Sequence, residues 1–186
     1  MTGVTRDQLI VVDARNRAIG RAGKLDGHAK GLLHRAFSIC LFDREGRMLL
    51  QQRHPAKYHS GGLWANSCCG HPRPGERTHS GARRRLQEEL GTSATLRFAF
   101  RTHYCTTFPG GLSENEIVYV FFGLAPDALA PNAEEVSAVA YRKLPDLKRD
   151  IQRRPAAYAV WLRHYVINHY DLIRRGRDAV LTDFRR

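Results

Sequence analysis

The fold is decided by residues 64–91, which read WANSCCGHPRPGERTHSGARRRLQEELG. A polar turn with two adjacent cysteines and a histidine runs into a helix that ends in two glutamates. Gly70 is followed after five residues by Glu76, and Glu76 is followed after seven by the run RRLQEELG. The helix is predicted to start near Thr78 or Ser80, either of which can cap it, and to stop before a glycine.

This spacing resembles the Nudix box, a loop–helix–loop that holds a diphosphate through a divalent metal. The chain departs from the box at one position, because the glutamate expected directly after Arg84 is Arg85. The lost carboxylate weakens metal-dependent hydrolysis, and the gained cation suits a phosphate. With Cys69 and His71 just upstream, the stretch resembles the type I isopentenyl diphosphate isomerases, which are non-hydrolysing relatives of the Nudix enzymes.

The same resemblance extends over nearly the whole chain, roughly residues 8–170. It is carried by four motifs, which are GLLHRAFS, NSCCGHP, RRRLQEELG and SENEI. The reaction that it implies is the reversible isomerisation of isopentenyl diphosphate to dimethylallyl diphosphate. That reaction adds a proton at one alkene terminus, passes through a shielded tertiary carbocation, and removes a proton on the opposite side.

Length and composition predict one domain over residues 1–186, with residues 175–186 as a frayed basic tail. Hydrophobic residues make up 42% and charged residues 26%, which is ordinary for a soluble globular chain. The sequence shows no run of about eighteen apolar residues and no signal-peptide pattern at its start. Four cysteines, two of them adjacent, do not form a disulfide framework, so we predict a cytoplasmic protein. We also expect a monomer or weak dimer.

The formal net charge of +12 leaves an alternative outside enzymology. Such an excess favours any polyanion, so a basic nucleic-acid or membrane-surface binding module is one reading, and plain solubility is another. The aromatic residues do not interleave with the arginines as they do in RNA-stacking surfaces, so we expect no nucleic-acid partner and no membrane insertion. A second alternative is a Nudix pyrophosphohydrolase, which would need the carboxylate that Arg85 replaces and would have no use for Cys69.

The hydrophobic pattern predicts an α+β fold, a Nudix-like mixed β-sheet core with flanking helices. The predicted strands are residues 8–14, 17–22, 34–43, 48–53, 94–107, 116–125 and 135–142. Besides the box helix, we predict a helix over 144–153 and a long amphipathic helix from Pro155 to about Arg174.

The resemblance implies three catalytic residues, Cys69, Glu116 and Tyr104. Glu116, assisted by a metal and by Tyr104, would donate the proton to the terminal carbon, and Cys69 as thiolate would remove the other. The polar, glycine-bounded turn around Cys69, with histidines and arginines nearby, favours a thiolate. Cys68 is not used by the motif.

The resemblance also implies one divalent metal, Mn²⁺, Zn²⁺ or Mg²⁺, held by His28, His34, His71, Glu114 and Glu116. Imidazole and carboxylate ligands suit these ions. Glu114 and Glu116 are two apart, so on a strand both side chains face the same side.

The diphosphate is expected to bind with a Mg²⁺ ion at Cys69 and Glu89, since Mg²⁺ takes one or two carboxylates plus phosphate oxygens. Arg85 and Glu89 are four residues apart and therefore share one helical face. The substrate-binding residues predicted around it are Lys24, Arg53, Lys57, Arg85 and Trp161, with the tryptophan placed by the resemblance against the isoprenoid group.

Overall fold

The computed structural model describes residues 8–184, which form a nine-stranded mixed sheet with helices packed on it. The strands are β1 (Gln8–Val12), β2 (Ala18–Gly23), β3 (His34–Phe42), β4 (Met48–Arg53), β5 (Trp64–Asn66), β6 (Cys68–Gly70), β7 (Arg97–Thr107), β8 (Ser113–Leu124) and β9 (Val136–Arg142). The helices are α1 (Lys24–Ala29), α2 (Thr78–Leu90), α3 (Leu144–Arg153), α4 (Val160–Asn168) and α5 (Tyr170–Phe184), with a 3-10 turn at Pro155–Ala157. The predicted α+β class with a mixed sheet is confirmed.

Strand β3 organises the sheet. It pairs in parallel with β8, from His34 opposite Glu116 to Phe42 opposite Leu124. It also pairs antiparallel with β6, where Ser38 lies opposite Cys69. Both β3 and β8 are buried along most of their length, as expected for strands that are covered on both faces.

Alternation along β3 separates two cores, because successive side chains of a strand point to opposite faces. Phe37, Ile39 and Leu41 pack in the core that contains the apolar residues of α2. Cys40 and Phe42 pack in the larger core that contains the apolar residues of α3, α4 and α5. Ser38 shares the second face, so it points towards the side of the sheet that α4 covers.

Helix α2 is the box helix, and its two ends differ from each other in how they are stabilised. Its N-cap is Arg77 in an extended conformation without a side-chain cap, so the prediction that Thr78 or Ser80 caps the helix is wrong. Gly91 ends it with φ +62°, and its N–H donates to the Gln87 carbonyl. A Cβ at Gly91 would lie 2.3 Å from the Ala130 carbonyl oxygen, so the turn also needs a residue without a side chain.

The C-terminal region departs from the prediction in two ways. The single long helix expected from residue 155 is broken into a 3-10 turn, α4 and α5, with the last break at His169. His169 contributes its Nε2 to a hydrogen bond with Thr102 of β7, 2.9 Å away, which ties the break to the sheet. Residues 175–184, expected as a frayed tail, are helical instead because Val180 is buried against the core. Residues 185–186 lie outside the described part of the chain.

The prediction of a polar turn around the two cysteines is also wrong, because this segment contains the short strands β5 and β6. Pairing with β3 and β4 turns this segment into part of the sheet. Within residues 8–184, no helix is both long and apolar enough to cross a membrane.

Candidate active site

Strand register brings the predicted site residues to one face of the sheet. His34 on β3 lies opposite Glu116 on β8, and Tyr104 on β7 lies opposite the same glutamate. Glu114 precedes Glu116 by two residues and therefore faces the same way. Trp161 covers this face from α4 and lines one cavity together with Cys69, Tyr104, Glu114 and Glu116.

Two histidines and a carboxylate converge at one end of this cavity. His34 Nε2 lies 3.2 Å from His71 Nε2, and Glu116 Oε1 lies 3.4 Å and 2.8 Å from these two nitrogens. His34 Nδ1 is 2.7 Å from the Leu32 carbonyl and donates to it, so Nε2 is the nitrogen left to bind a metal once its proton is lost. Lone pairs and a carboxylate oxygen that face one another are the donor set of a divalent cation.

His28 completes this set and supplies an independent test of the fit to a metal. Its ring is fully buried, and neither nitrogen has a hydrogen-bond partner among residues 8–184. Burial lowers the pKa of His28 to about 3, so the ring is neutral and able to ligate. An orphaned, neutral imidazole next to two others fits a metal site and would otherwise be costly to bury.

The ionisation of the other ligands follows from their contacts. Burial, and then the neighbouring His34, lower the pKa of His71 well below its ordinary value. Burial opposes the charged forms of His34 and Glu116, but their mutual hydrogen bond outweighs it, which raises the pKa of His34 and lowers that of Glu116. Glu116 is therefore a carboxylate in the metal-free site.

Glu114 is held at both of its oxygens. The Tyr104 hydroxyl donates to Oε2 over 2.6 Å, and His59 Nε2 lies 2.8 Å from Oε1. Burial and the charge of Glu114 raise the pKa of Tyr104 well above its usual range, so the phenol keeps its proton. The resemblance implies that Tyr104 assists Glu116. Its hydroxyl donates to Glu114, and, against the effect of burial and after the larger contribution of His34, Tyr104 also helps to lower the pKa of Glu116.

Cys69 sits at the start of a chain of side-chain hydrogen bonds. Its thiol donates to Asn66 Oδ1 over 3.3 Å, and Ser38 Oγ lies 3.2 Å from Sγ. Tyr165 of α4 continues the chain, with its hydroxyl 2.9 Å from Ser38 Oγ. Cys68 packs in the opposite core beside α2, because neighbouring residues of a strand face opposite sides.

The surroundings of Cys69 do not favour the expected thiolate. Burial raises the pKa of the Cys69 thiol to about 12, against the opposing effect of the Ser38 hydroxyl. The physical reason is that Cys69 lies on a strand inside the sheet, and a solvated polar turn would have lacked this desolvation.

Four cations gather at the other end of the cavity. Lys24 is the first residue of α1, and its pKa is lowered by burial and by the nearby charges of Arg85, Arg53 and Lys57. Lys24 and Arg53 line the cavity, and the charges of Arg85 and Lys57 also act on Lys24. A diphosphate would relieve this repulsion, because it carries the opposite charge.

Within this group, Arg85 is already engaged by carboxylates of the chain. It donates to Glu88 over 2.8 Å, to Glu89, and to Glu135 over 3.1 Å. Glu135 also accepts a hydrogen bond from Lys57. Glu135 thus joins two predicted phosphate ligands, and sequence analysis did not single it out.

Glu89, the expected magnesium ligand, is similarly held. Its Oε2 accepts a hydrogen bond from Gln51 over 2.8 Å, and its Oε1 accepts one from Arg85. The box residue Glu76 makes hydrogen bonds within the chain. It accepts two of 2.9 Å from Arg84 and one from the Arg73 N–H. It therefore clamps the loop to α2.

Trp161 is 4% exposed and lines the cavity as predicted, but its ring also contacts the chain's own groups. The Arg53 guanidinium carbon lies 5.2 Å from the ring centroid, and the His59 ring meets it edge-on at 5.8 Å. The tryptophan therefore connects the cationic end of the cavity to the histidine end.

Sequence analysis missed His59, Ser38, Tyr165 and Glu135. Ser60, Gly61 and Gly62 mark a turn after His59, but turn residues do not tell which neighbouring side chain points inwards. The contacts of Glu135 and Tyr165 join residues about 50 and about 130 positions apart, which no local pattern records.

Comparisons with known proteins agree with this geometry. The profile of the NUDIX domain matches residues 32–164. "Isopentenyl-diphosphate Delta-isomerase 2" of Aromatoleum aromaticum is 46% identical over 156 residues, which are 84% of this chain and 82% of the relative. The "Isopentenyl-diphosphate Delta-isomerase" of Serratia proteamaculans is 46% identical over 155 residues, 83% of this chain and 87% of the relative.

Among solved structures, DR0079 from Deinococcus radiodurans superposes with a TM-score of 0.71 over 91% of this chain and 99% of its own. A MutT protein from Methanosarcina mazei gives 0.59 over 79% of this chain and 94% of its own. Their identities of 18% and 16% support the fold alone. By profile, sequence identity and fold, the chain belongs to the isopentenyl-diphosphate Delta-isomerase family within the NUDIX superfamily.

Proposed function

We infer that the protein is an isopentenyl-diphosphate Delta-isomerase, which moves the double bond of isopentenyl diphosphate to give dimethylallyl diphosphate. The observation that carries this inference is one cavity lined by the Cys69 thiol, the Glu116 carboxylate and Trp161. β6, which carries Cys69, and β8, which carries Glu116, both pair with β3. A five-carbon group between them would meet one proton-exchanging side chain on each side.

The chemistry requires two proton transfers to carbon. Glu116, with Tyr104 and Glu114 beside it, delivers a proton to the terminal alkene carbon, and the positive charge then rests on the tertiary carbon. Cys69 removes a proton from the carbon on the other side of the tertiary carbon, two positions from the protonated terminus, and this forms the new double bond. The two groups must act on a substrate that is shielded from water, because water would trap the cation.

The pKa shifts fit one stage of this cycle. A turnover towards dimethylallyl diphosphate starts from a Cys69 thiolate and a protonated Glu116, and it ends with a thiol and a carboxylate. Burial favours the neutral thiol, and the hydrogen bond from His34 favours the Glu116 carboxylate. Both shifts favour the protonation states in which this turnover ends and the reverse turnover begins.

Two metal ions belong to the proposal. We propose one divalent ion, Mn²⁺, Zn²⁺ or Mg²⁺, on His28, His34, His71, Glu114 and Glu116, and a Mg²⁺ ion that accompanies the diphosphate at Cys69 and Glu89. When bound, the first ion fixes the carboxylates and tunes the acidity of Glu116, and the second neutralises phosphate charge. Support comes from the buried, orphaned nitrogens of His28 and the buried carboxylate of Glu89.

The remaining residues bind and shield the substrate. Lys24, Arg53, Lys57 and Arg85 provide the positive charge for the diphosphate, with arginine suited to paired contacts with phosphate oxygens. Trp161 offers a ring face to the carbocation, which a desolvated aromatic ring stabilises by about one to two kcal/mol. We propose a cytoplasmic enzyme, which the free state of all four cysteines supports.

The test is an assay with isopentenyl diphosphate and Mg²⁺, in which dimethylallyl diphosphate and free phosphate are both measured. We expect the isomer and no phosphate release. Cys69→Ala should abolish isomerisation, and the matched Cys68→Ala should keep most of it, because Cys68 faces the other core. Phosphate release without isomer would overturn the proposal, and so would an inactive Cys68→Ala beside an active Cys69→Ala.

A further inference from the structure

His59 lies in the loop between β4 and β5 and is buried beside the proposed metal ligands. Its Nε2 is 2.8 Å from Glu114 Oε1. No motif that identified the other site residues includes it. Together with His28 and Glu114, it forms a second group of close donor atoms next to the group of His28, His34 and His71.

The two ring nitrogens of His59 face different groups. Nδ1 lies 3.3 Å from Ser60 Oγ, and Nε2 lies 2.8 Å from Glu114 Oε1 in an ion-pair contact. Because an ionised carboxylate can only accept, Nε2 is the nitrogen placed to serve as its donor. Since Tyr104 donates to the other oxygen, the Glu114 carboxylate is fixed from two sides by two elements of the fold.

The His59 ring is itself held in place. It stacks on Phe108 with centroids 4.6 Å apart and planes 13° apart, and its edge meets Trp161. The backbone turns sharply just beyond it, with Ser60 at φ +53°. A Cβ on Gly61 would lie 2.3 Å from the Pro55 carbonyl oxygen, so the loop closes tightly upon itself and directs His59 inwards.

We propose that His59 is a positioning residue that orients Glu114 for metal binding, and this inference rests on the metal centre proposed above. A group that hydrogen-bonds a ligating carboxylate sets its direction, and removing such a group typically costs 10- to 100-fold in metal affinity. His59 Nε2 lies 2.8 Å from the carboxylate and Nδ1 lies 3.3 Å from Ser60, so His59 acts through Glu114.

The same residue links the two ends of the cavity. Arg53 donates to the His59 carbonyl over 3.3 Å, and Lys57 precedes it by two residues. The loop carries Lys57 and accepts the Arg53 hydrogen bond, and one imidazole thus anchors it to a proposed metal ligand. A loop displaced from the site would release Glu114, and a Glu114 held by metal would keep the loop in place.

The experiment measures Co²⁺ affinity by competition with a chromophoric chelator, in the full-length chain without substrate. His59→Phe keeps the ring that packs on Phe108 but removes the donor. His59→Gln keeps an N–H donor near the Nε2 position but removes the ring. His79→Phe, on the exposed first turn of α2, is the matched control.

We expect His59→Phe to weaken Co²⁺ binding by about 10- to 100-fold. His59→Gln should stay within a few-fold of the unmodified chain, with an unchanged visible Co²⁺ spectrum, and His79→Phe should have no effect. Unchanged affinity in His59→Phe would overturn the inference. So would a His59→Gln variant as weak as His59→Phe with a spectrum that has lost one nitrogen ligand, since His59 would then be a ligand itself.

Failure of the metal centre gives a different result. If the unmodified chain binds no stoichiometric Co²⁺, the proposed metal centre is overturned, and the role of His59 with it. If the unmodified chain and His59→Phe bind equally, the centre stands and only the inference about His59 is lost.

Discussion

The two ends of the cavity solve the problem of buried charge in opposite ways. At the histidine end, His34, His71 and Glu116 bring lone pairs and a carboxylate oxygen within 2.8–3.4 Å of each other. At the arginine end, Arg85 contacts three carboxylates, and each of these is also close to another donor or charge. The first end has donor atoms that suit an added cation, whereas Arg85 at the second end is already paired within the chain.

This difference decides what a ligand must do at each end. A metal at the histidine end fills a place where the chain's described residues leave His28 without a partner. A diphosphate at the arginine end must compete with Glu88, Glu89 and Glu135 for Arg85, and magnesium must compete with Arg85 for Glu89. We therefore expect ligands to add stability at the first end and to exchange partners at the second.

The largest effect on activity should come from removing the metal from the histidine end. Chelation, or His71→Ala, should lower isomerase activity by at least about 100-fold, because a site metal contributes several kcal/mol of charge stabilisation. Mn²⁺ at about 100 times its dissociation constant should stabilise the chelated protein by about 2.7 kcal/mol, since only the folded state holds the site. Thermal unfolding with and without Mn²⁺ measures this.

The His71→Ala variant should lose this Mn²⁺-dependent shift in Tm, while Cys105→Ala, at an exposed position of β7, should keep it. An equal Mn²⁺-dependent shift in Tm in both variants would mean that the ion binds elsewhere, and the proposed difference between the two ends would be wrong.

The next largest effect should come from Arg85→Ala. Loss of a charge-assisted contact to the diphosphate typically costs about 1.5–3 kcal/mol, so KM should rise by roughly ten- to a hundred-fold. The effect on kcat should be smaller, because the diphosphate does not react. Steady-state kinetics separate the two constants.

Arg85→Ala also leaves the buried Glu89 without its cation, so the free energy of unfolding should fall by about 1–3 kcal/mol. Arg85→Glu restores the box carboxylate beside the substrate's negative charge, and we expect loss of isomerisation with at most a trace of hydrolysis. An unchanged KM in Arg85→Ala would assign Arg85 to the carboxylates of the chain alone.

Acidification should cost the protein the stability linked to its histidine end at a higher pH than the stability linked to its arginine end. The pKa of His28 is lowered to about 3, whereas an unfolded histidine titrates near 6.5. Between these values the unfolded chain binds a proton that the folded chain does not, so stability falls as the pH falls. In metal-free protein we expect a loss of at most about 1.4 kcal/mol from pH 6 to pH 5 for this histidine, measured by urea unfolding.

His71, whose pKa is also lowered, adds to this slope, and His34, whose pKa is raised, is charged in both states throughout the window. The arginine end responds only at lower pH. Arg84 lowers the pKa of Glu76 from 4.5, and Arg85, against the effect of burial, lowers that of Glu88. A His28→Gln variant with an unchanged slope between pH 6 and pH 5 would contradict this assignment.

The smallest effect should come from Glu135→Gln. This change frees Lys57 and Arg85 from one shared carboxylate without removing either cation. A partly exposed ion pair is worth about 0–1 kcal/mol, so KM should shift by no more than about five-fold. A decrease in KM would indicate that Glu135 competes with the diphosphate, and an increase that it holds the two cations in position.

Sequence analysis predicted the features that depend on local patterns of residues. The box helix, its end at Gly91 and most strands follow from spacing and alternation, and the motif positions led to residues that meet at one cavity. The break at His169 was missed because the residues on either side have helical character, and a contact with Thr102 far away in the chain decides the break.

The ionisation of Cys69 was mispredicted for a related reason. Its neighbours in sequence are polar, but its neighbours in space are a strand and a buried tyrosine. His59 and Glu135 carry no motif at all, and only the closure of their loops brings them to the site. Contacts between distant segments set these features, and composition near the residue does not.

The parallel pairing of β3 with β8 has a consequence for the order of folding. His34 and Glu116 are about 80 residues apart in the chain, so closing the segment between them costs entropy before any contact repays it. The hairpins β1–β2 and β7–β8 close much shorter loops and can form first. Glu114 and Glu116 on β8 therefore stay apart from His34 until the long-range pairing is complete. The ion cannot guide the chain to that point, and we expect bound metal to slow unfolding while leaving the refolding rate nearly unchanged.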